Sequence, residues 1–380
     1  MAAGADHAVD FSGHGGLRIP AADALRGIAV LLMVQQHLGV WLWKVPVMPL
    51  WELFVAHTLM MGMNFCGLLA APLFVSLSGF GSVYLHAKTE RPFRVFAVRG
   101  AVIIFFGYML NFLTPHWFTP GSWFVLHCIG FSLILAPALL RLRTAYLVLL
   151  YPAIFGAALF GQHILGTPLL LMDARMGNIS LPGGVLRLIF LEGHFPVFPW
   201  VALFISGIIA GRWISAGKTK YILLTGITFI TAGIVLGVLY RHGYAFATRG
   251  PLFRLFVPLP YFYPALPPLM LGLNGLALLC AGIMYRIGQK KGVRASNPLV
   301  SLGRVSLTVL FVHIALFNEL FHLLGLKNTF SAVWTFVIIM ITLGVCGYCA
   351  FLWRRVEYRN GLEWWVRAVS DRKWQKKLLL

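Results

Sequence analysis

The sequence has few charged residues: only 11% of its 380 residues are Asp, Glu, Lys or Arg, and Asp and Glu together number 11. Long polar stretches are also missing. Hydrophobic residues instead make up 59% of the chain and aromatic residues 14%. This composition excludes an ordinary soluble domain and predicts a polytopic membrane protein.

A cleavable signal peptide is not apparent either. The first 20 residues lack a basic start and an apolar core, and they contain Asp6, His7, Asp10 and His14. We therefore expect the first helix to act as an uncleaved anchor.

Cysteine is scarce, with five residues, and Cys66, Cys128 and Cys280 fall inside predicted helices. A disulfide framework is therefore not expected. Cys346 and Cys349 form a CxxC motif, but it lies within an apolar run and has no second pair elsewhere. Helix packing explains this motif better than metal binding or redox chemistry, and we expect no metal site.

Ten apolar runs are long enough to cross a bilayer. They cover residues 24–43, 64–85, 93–113, 121–140, 145–164, 195–214, 221–240, 264–285, 299–320 and 332–352. The sequence thus predicts an all-α, polytopic integral membrane protein with about ten transmembrane helices. Its predicted parts are a cytoplasmic N-terminal segment (1–20), a transmembrane domain (21–353) and a basic cytoplasmic interfacial tail (354–380).

The orientation follows from the 31 Lys and Arg residues. With the N-terminus in the cytoplasm, seven of them lie on the outer side: Lys44, Arg175, Arg187, Arg241, Arg249, Arg254 and Lys327. The other 24 lie on the inner side, which predicts cytoplasmic N- and C-termini. The net charge of +20 therefore sets topology and favours contact with anionic lipids, and we expect no nucleic-acid partner.

Three histidines lie inside predicted spans. His37, His127 and His313 each fall roughly 20 Å from the inner edge. Ionisable groups at that depth usually face protein or water, and a histidine packed against a neighbouring helix is the plainest explanation for any one of them. Three at one level favour a shared functional cavity, in which an imidazole serves as a general base or as a transient acyl carrier.

Three arginines occupy a different level. Arg26, Arg99 and Arg304 lie within roughly 10 Å of the inner edge. Snorkelling to lipid phosphates is one explanation. The other is a cradle for a phosphorylated ligand, because guanidinium groups bind phosphate bidentately. A cationic inner mouth below a histidine layer suits acyl-CoA as donor. Glu319, six residues after His313, belongs either to an acceptor site or to the solvated outer rim.

Four stretches resemble the transmembrane acyltransferase superfamily, which includes bacterial relatives of heparan-alpha-glucosaminide N-acetyltransferase and, more distantly, acyltransferase family three. They are ADALRGIAVLLMVQQH (22–37), WFVLHCIGFSLILAPALL (123–140), HFPVFPWVALFISGIIAGRW (194–213) and NPLVSLGRVSLTVLFVHIALF (297–317). In the family's pattern Arg26 and His37 match the paired Arg and His of the first helix. His127, Arg304 and His313 match recurrent later positions.

The resemblance implies transfer of an acetyl or other short acyl group from cytoplasmic acyl-CoA to a glycan or amino-sugar acceptor at the outer face of the cell's inner membrane. Relatives often have an acidic residue directly before the FPxxPW motif. Here His194 occupies that place and Glu192 lies two residues earlier, so the acceptor side departs from the pattern. The sequence leaves three points open. The product is an ester or an amide, the transfer is direct or passes through an acyl-histidine intermediate, and the oligomeric state is not determined.

Two other functions fit the same residues. In a secondary transporter or lipid-linked-sugar flippase, the histidines relay protons and the arginines bind an anionic cargo. Interrupted helices in two symmetry-related halves favour that interpretation. In a scaffold or regulatory subunit, the histidines are merely packed and no cavity exists.

Overall fold

The structure is a computed structural model that describes residues 19–244, 250–258 and 262–370. Over these residues the chain is helical and has no β-strand; Trp43 and Phe330 form an isolated bridge. The predicted all-α class is confirmed. Most of the predicted N-terminal segment and the last ten residues of the predicted tail lie outside the described residues.

In chain order the α-helices are α1 (Pro20–Leu42), α2 (Leu50–Ala56), α3 (Thr58–Gly67), α4 (Ala70–Lys88), α5 (Pro92–Leu113), α6 (Val125–Arg141), α7 (Thr144–Ile164), α8 (Asp173–Met176), α9 (Gly184–Arg187), α10 (Val197–Ser215), α11 (Thr219–Arg241), α12 (Pro267–Lys291), α13 (Pro298–Arg304), α14 (Ser306–Val312), α15 (Glu319–Leu323), α16 (Ala332–Trp353) and α17 (Leu362–Ser370). Short π-helical turns cover Leu188–Glu192 and His313–Asn318. Two 3₁₀ turns cover Gly250–Leu255 and Arg354–Val356.

Nine helical segments in the described ranges are long and apolar enough to cross a membrane. They correspond to nine of the ten predicted spans. The remaining one, the fourth, is α6, a shorter apolar helix of 17 residues. At 1.5 Å per residue it extends about 25 Å, the short end of what spanning requires. The polytopic membrane fold is thus confirmed, and the side that each terminus faces stays a prediction.

Four pairs of helices approach so closely that a glycine of each helix faces the backbone of its partner. Between α1 and α13, a Cβ on Gly27 would overlap the Leu299 carbonyl, and a Cβ on Gly303 would overlap the Asp23 carbonyl. Small residues allow such contact where lipid supplies no hydrophobic driving force. The other pairs are Gly79 with Gly207 (α4 and α10), Gly100 with Gly130 (α5 and α6) and Gly226 with Gly275 (α11 and α12).

The ninth predicted span contains two interruptions. α13 ends at Arg304, Val305 is non-helical (φ −115°, ψ 24°), and α14 begins at Ser306. A π-helical turn starting at His313 then separates α14 from α15. The apolar run predicts a span here but cannot predict its breaks, because hydropathy does not report whether the backbone hydrogen bonds continue.

A buried polar network joins four other helices of the bundle. Asn274 of α12 accepts a hydrogen bond from Ser206 of α10 (2.9 Å) and donates one to the hydroxyl of Tyr151 in α7 (2.8 Å). Ser76 of α4 donates to the same Asn274 oxygen at 3.5 Å. Hydrogen bonds of this kind hold membrane helices together.

Candidate active site

Two of the three predicted histidines contact each other. His37, near the end of α1, and His313, the first residue of the π-helical turn, are joined by a hydrogen bond of 2.8 Å between His37 Nδ1 and His313 Nε2. Their rings stack with centroids 5.1 Å apart. Residues that lie 276 positions apart in sequence thus share one site.

The hydrogen bonds of this pair fix its tautomers. His313 Nδ1 lies 2.8 Å from the Val309 carbonyl, which can only accept, so Nδ1 carries the proton. In neutral His313 the Nε2 atom then has a free lone pair and accepts from His37 Nδ1–H. Neutral His37 therefore has its unprotonated nitrogen at Nε2, and no described residue hydrogen-bonds that atom.

Aromatic rings pack beside the histidine pair. Trp117, in the loop between α5 and α6, meets the His37 ring edge-on at 5.0 Å, and Trp41 lies 5.4 Å from it. Trp41 also contacts Phe321 beyond the π-helical turn. These rings cover part of the imidazole surface, and His37 stays partly exposed.

His127 does not contact this pair. It lies in the first turn of α6, fully buried, where its Nδ1 accepts a hydrogen bond from the Phe124 amide (3.2 Å). Its Nε2 faces Gly107 of α5. The stacked rings of Trp117, Phe118 and Phe124 lie between His127 and His37. We call the rings of Trp117, Phe118 and Phe124 the aromatic wall. His127 caps α6 on the side of this wall that faces away from His37.

Two of the three predicted arginines share one carboxylate. Asp23 is 1% exposed. Its Oδ1 accepts from Arg26 at 3.0 Å and its Oδ2 lies 3.5 Å from Arg304 Nε. The close packing of α1 against α13 through Gly27 and Gly303 places the two guanidinium groups on either side of this carboxylate. Both arginines are partly exposed, at 25% and 20%.

The third predicted arginine binds the C-terminal helix. Arg99 of α5 donates to the Ser370 hydroxyl at 3.0 Å. One turn earlier in α17, Arg367 lies close enough to Asp23 and Arg304 to be affected by their charges. Burial lowers the pKa of Arg367, and Glu363 and Asp23 oppose that change. The described arginines around Asp23 are thus Arg26, Arg304 and Arg367.

Glu319 fastens the loop that carries Trp117. Its Oε2 accepts from His116 at 2.6 Å, and its Oε1 accepts from the Asn318 amide at 2.8 Å. The His116 ring also stacks on His322, with centroids 3.6 Å apart. Glu319 therefore lies at the end of the ninth span, beyond the histidine pair. It is next to the loop that places Trp117 against His37.

Glu192 has both carboxylate oxygens occupied. It accepts from Arg175 (2.8 and 2.9 Å), from Thr167 (2.6 Å) and from Arg187. Burial alone would raise its pKa, but these hydrogen bonds outweigh burial and hold the pKa below its usual value. His194 lies nearby between the rings of Phe118 and Tyr263. Glu192 is thus the centre of a loop network.

Several residues of the site were not predicted. Asp23 had a signal: it is a scarce acidic residue three positions before Arg26, the spacing of one helical turn. His116, Trp117, Glu363 and Arg367 had none, because they reach the site from loops or from the tail, whose path the sequence pattern does not specify.

These features define a class: a polytopic helical membrane protein with an imidazole pair, packed beside aromatic rings, about 16 Å along α1 from a cluster of arginines. A family model described as heparan-alpha-glucosaminide N-acetyltransferase, catalytic, matches residues 18–246. The chain belongs to this family and is a membrane acetyltransferase. No curated protein matches the chain in a sequence search.

The family match ends before the ninth span. It includes Arg26, His37 and His127, whereas Arg304 and His313 lie beyond it. Contacts in the fold connect these two late residues to the matched region: His313 bonds His37, and Arg304 lies against Asp23.

Proposed function

We propose that the protein transfers an acetyl or other short acyl group from cytoplasmic acyl-CoA to a hydroxyl or amine of a glycan or amino-sugar acceptor at the outer face of the cell's inner membrane. One observation carries the proposal. In a chain of an acetyltransferase family, the His37–His313 pair leaves a single imidazole nitrogen, His37 Nε2, without a hydrogen bond to any described residue.

In this proposal His37 is the general base. Its Nε2 takes the proton from the acceptor as the acceptor oxygen or nitrogen attacks the thioester carbon. The C–S bond then breaks, and the sulfur leaves as the thiol after receiving that proton from His37. His313 acts through His37: its Nε2 accepts from Nδ1–H, so it fixes the tautomer and stabilises the imidazolium.

The arginine cluster would hold the donor's phosphates. Arg26 and Arg304 lie on either side of Asp23, which orients their guanidinium groups before any ligand binds. With Arg367, three guanidinium groups lie near two carboxylates, Asp23 and Glu363, and planar guanidinium groups bind phosphate oxygens bidentately. Arg99 supports this end of the site through Ser370.

The remaining predicted residues take supporting parts. His127 keeps the aromatic wall in place, and Glu319 holds the His116 loop at the end where the acceptor would enter. His194 lies behind that wall, against Phe118. Glu192 has no oxygen left for an acceptor, so we assign it to the fold rather than to the reaction.

One feature favours secondary transport as a second candidate. The ninth span is interrupted at Val305, between Arg304 and His313, and interrupted helices form the ion and substrate sites of transporters. Formation of an acetylated product separates the two functions, because transport moves a substrate without changing it.

The test uses purified protein in proteoliposomes, with radiolabelled acetyl-CoA on one side and glucosamine on the other. We expect labelled acetylglucosamine, with N- or O-acetylation read by mass spectrometry. His37→Ala should lower the rate by about 10³-fold, within the range of general-base catalysis, and still bind CoA. His163→Ala, which removes an exposed histidine of α7, should change neither property.

Two results would contradict the proposal. A His37→Ala protein that retains wild-type transfer removes His37 from the chemistry. Passage of label across the membrane without any acetylated product favours the transporter.

A further inference from the structure

The segment after the last span, residues 357–363, wraps around the break in the ninth span; we name it the C-terminal strap. Three of its residues, Glu357, Tyr358 and Asn360, have left-handed backbones with φ of 54°, 56° and 63°. Non-glycine residues adopt this conformation at an energetic cost and keep it where surrounding contacts fix them. The strap is therefore held in place by its contacts.

One such contact reaches the arginine cluster. Tyr358 is 6% exposed, and its hydroxyl donates to Ser301 of α13 at 3.1 Å. The centroid of its ring lies 5.7 Å from the guanidinium carbon of Arg304, within the range of a cation–π interaction. The strap thus contacts both the helix that carries Arg304 and the Arg304 side chain.

A second contact holds the start of α14. The first amides of a helix need acceptors, and Val305, which precedes α14, has no side chain that can accept. Glu363, from another part of the chain, supplies the acceptors for these amides. Its Oε1 accepts from the amides of Leu307 and Thr308, and its Oε2 accepts from the Thr308 hydroxyl at 2.6 Å. The same hydroxyl accepts from the Leu362 amide at 2.8 Å.

We propose that the C-terminal strap is part of the donor-binding half of the site and that Glu363 is a positioning residue. By capping α14, Glu363 holds the break at Val305 in the one geometry in which Arg304 faces Asp23 while His313 faces His37. The inference rests on the proposed function, because it takes the arginine cluster as the site of the CoA phosphates.

The first experiment needs no substrate. Hydrogen exchange in detergent, followed at Leu307 and Thr308, reports whether the first turn of α14 is held. Glu363→Ala should raise the exchange of these two amides at least tenfold, because they lose their acceptor. Exposed Glu52 in α2 provides the matched control, and Glu52→Ala should leave exchange unchanged. Equal exchange in Glu363→Ala and in the wild type overturns the proposal.

The second experiment measures CoA affinity by titration calorimetry. Glu363→Ala should weaken the Kd for CoA about tenfold, a loss equal to about one charge-assisted hydrogen bond. Glu363→Gln, which keeps an acceptor, should recover most of that loss. Tyr151→Phe, in the distant Asn274 network, should lower the unfolding temperature without changing the Kd. Unchanged CoA affinity in Glu363→Ala, or an equal loss in Tyr151→Phe, overturns the positioning role.

A third variant covers the case in which Glu363→Ala does not fold. Tyr358→Phe removes only the hydrogen bond to Ser301 and should weaken CoA binding about threefold. Unchanged CoA affinity in this variant counts against the strap. Failure of the wild type to bind CoA refutes the proposed function instead, and the exchange experiment then still decides whether Glu363 holds the break.

Discussion

Two polar clusters in this protein differ in the number of hydrogen-bonding atoms left without a partner. Around Glu192, both carboxylate oxygens are occupied by Arg175, Arg187 and Thr167. In the histidine pair, the chain of hydrogen bonds from the Val309 carbonyl ends at His37 Nε2, to which no described residue forms a hydrogen bond. A cluster whose polar atoms all have hydrogen-bond partners stabilises the fold. A nitrogen without a partner, at the end of a chain of hydrogen bonds, is available for proton transfer.

The two clusters also differ in charge. Ionised Glu192 is stable when buried because three donors compensate for its lost hydration. The imidazole pair carries no charge when neutral, and two hydrogen bonds, from His37 to His313 and from His313 to the Val309 carbonyl, set its orientation. Loss of a partner should therefore damage stability in the first cluster and reaction rate in the second.

Among the partner residues of the two clusters, the largest effect is expected at His313. His313→Ala removes the acceptor of His37 Nδ1–H, so the tautomer of the base is no longer fixed, and acetyl transfer should fall by about 10²- to 10³-fold. Measurement of kcat in proteoliposomes, beside the CoA Kd, tests this. Unchanged kcat would show that His37 does not need its partner. Weaker binding of CoA would indicate that His313 contributes to donor binding instead.

Glu192→Gln tests the other cluster. Neutralising a buried carboxylate that pairs with two arginines should cost about 3 kcal/mol of folding free energy. The loss should appear as a lower midpoint of thermal unfolding in detergent, while the KM for acetyl-CoA of the folded fraction stays the same. Exposed Glu52→Gln is the matched control, with an expected change within about 0.5 kcal/mol. Equal midpoints for the two variants would contradict the assignment.

The contribution of Glu192 should also depend on pH. Its pKa is lower in the folded protein than in the unfolded chain, so its full stabilisation is present above the ordinary Glu value of about 4.3. Below that value the unfolded chain binds the proton first, and the stabilisation is lost as the pH falls towards the folded pKa. The difference in unfolding midpoint between the wild type and Glu192→Gln should therefore shrink on acidification. A constant difference would sink this explanation.

The arginine cluster should show the smallest of these effects. Arg26→Ala and Arg304→Ala should each weaken the CoA Kd about tenfold, because each removes charge-assisted contacts to phosphate. Exposed Arg355 near the tail is the matched control, and Arg355→Ala should leave the Kd unchanged. If all three variants bind CoA alike, the arginines serve lipid contacts or the fold alone.

Much of the framework was predictable from the sequence. All ten apolar runs became helices, and nine of these are long enough to cross a membrane, because hydropathy and length suffice to identify such spans. The breaks at Val305 and His313 were not predictable. Nor was the glycine packing of α1 against α13, which depends on how two distant helices face each other.

For the candidate site, the sequence selected residue types and approximate depths. Equal depth in the sequence groups His127 with His37 and His313. The fold instead places aromatic rings between them, because depth says nothing about position in the membrane plane. Glu192 was predicted to lie at the acceptor site because it precedes the FPxxPW motif. In the fold, Arg175, Arg187 and Thr167 donate hydrogen bonds to its oxygens, and the sequence pattern does not show these contacts.

The sequence alone determined that this chain is a bundle of membrane helices with ionisable residues at two levels. The reason is that exposing polar groups to lipid is costly, so membrane spans must be runs of apolar residues, and such runs are visible in the sequence. Only the tertiary structure decided which of those residues meet. The His37–His313 hydrogen bond, the sharing of Asp23 and the capping of α14 by Glu363 all join segments far apart in the chain, and only the packing of the helices brings them together.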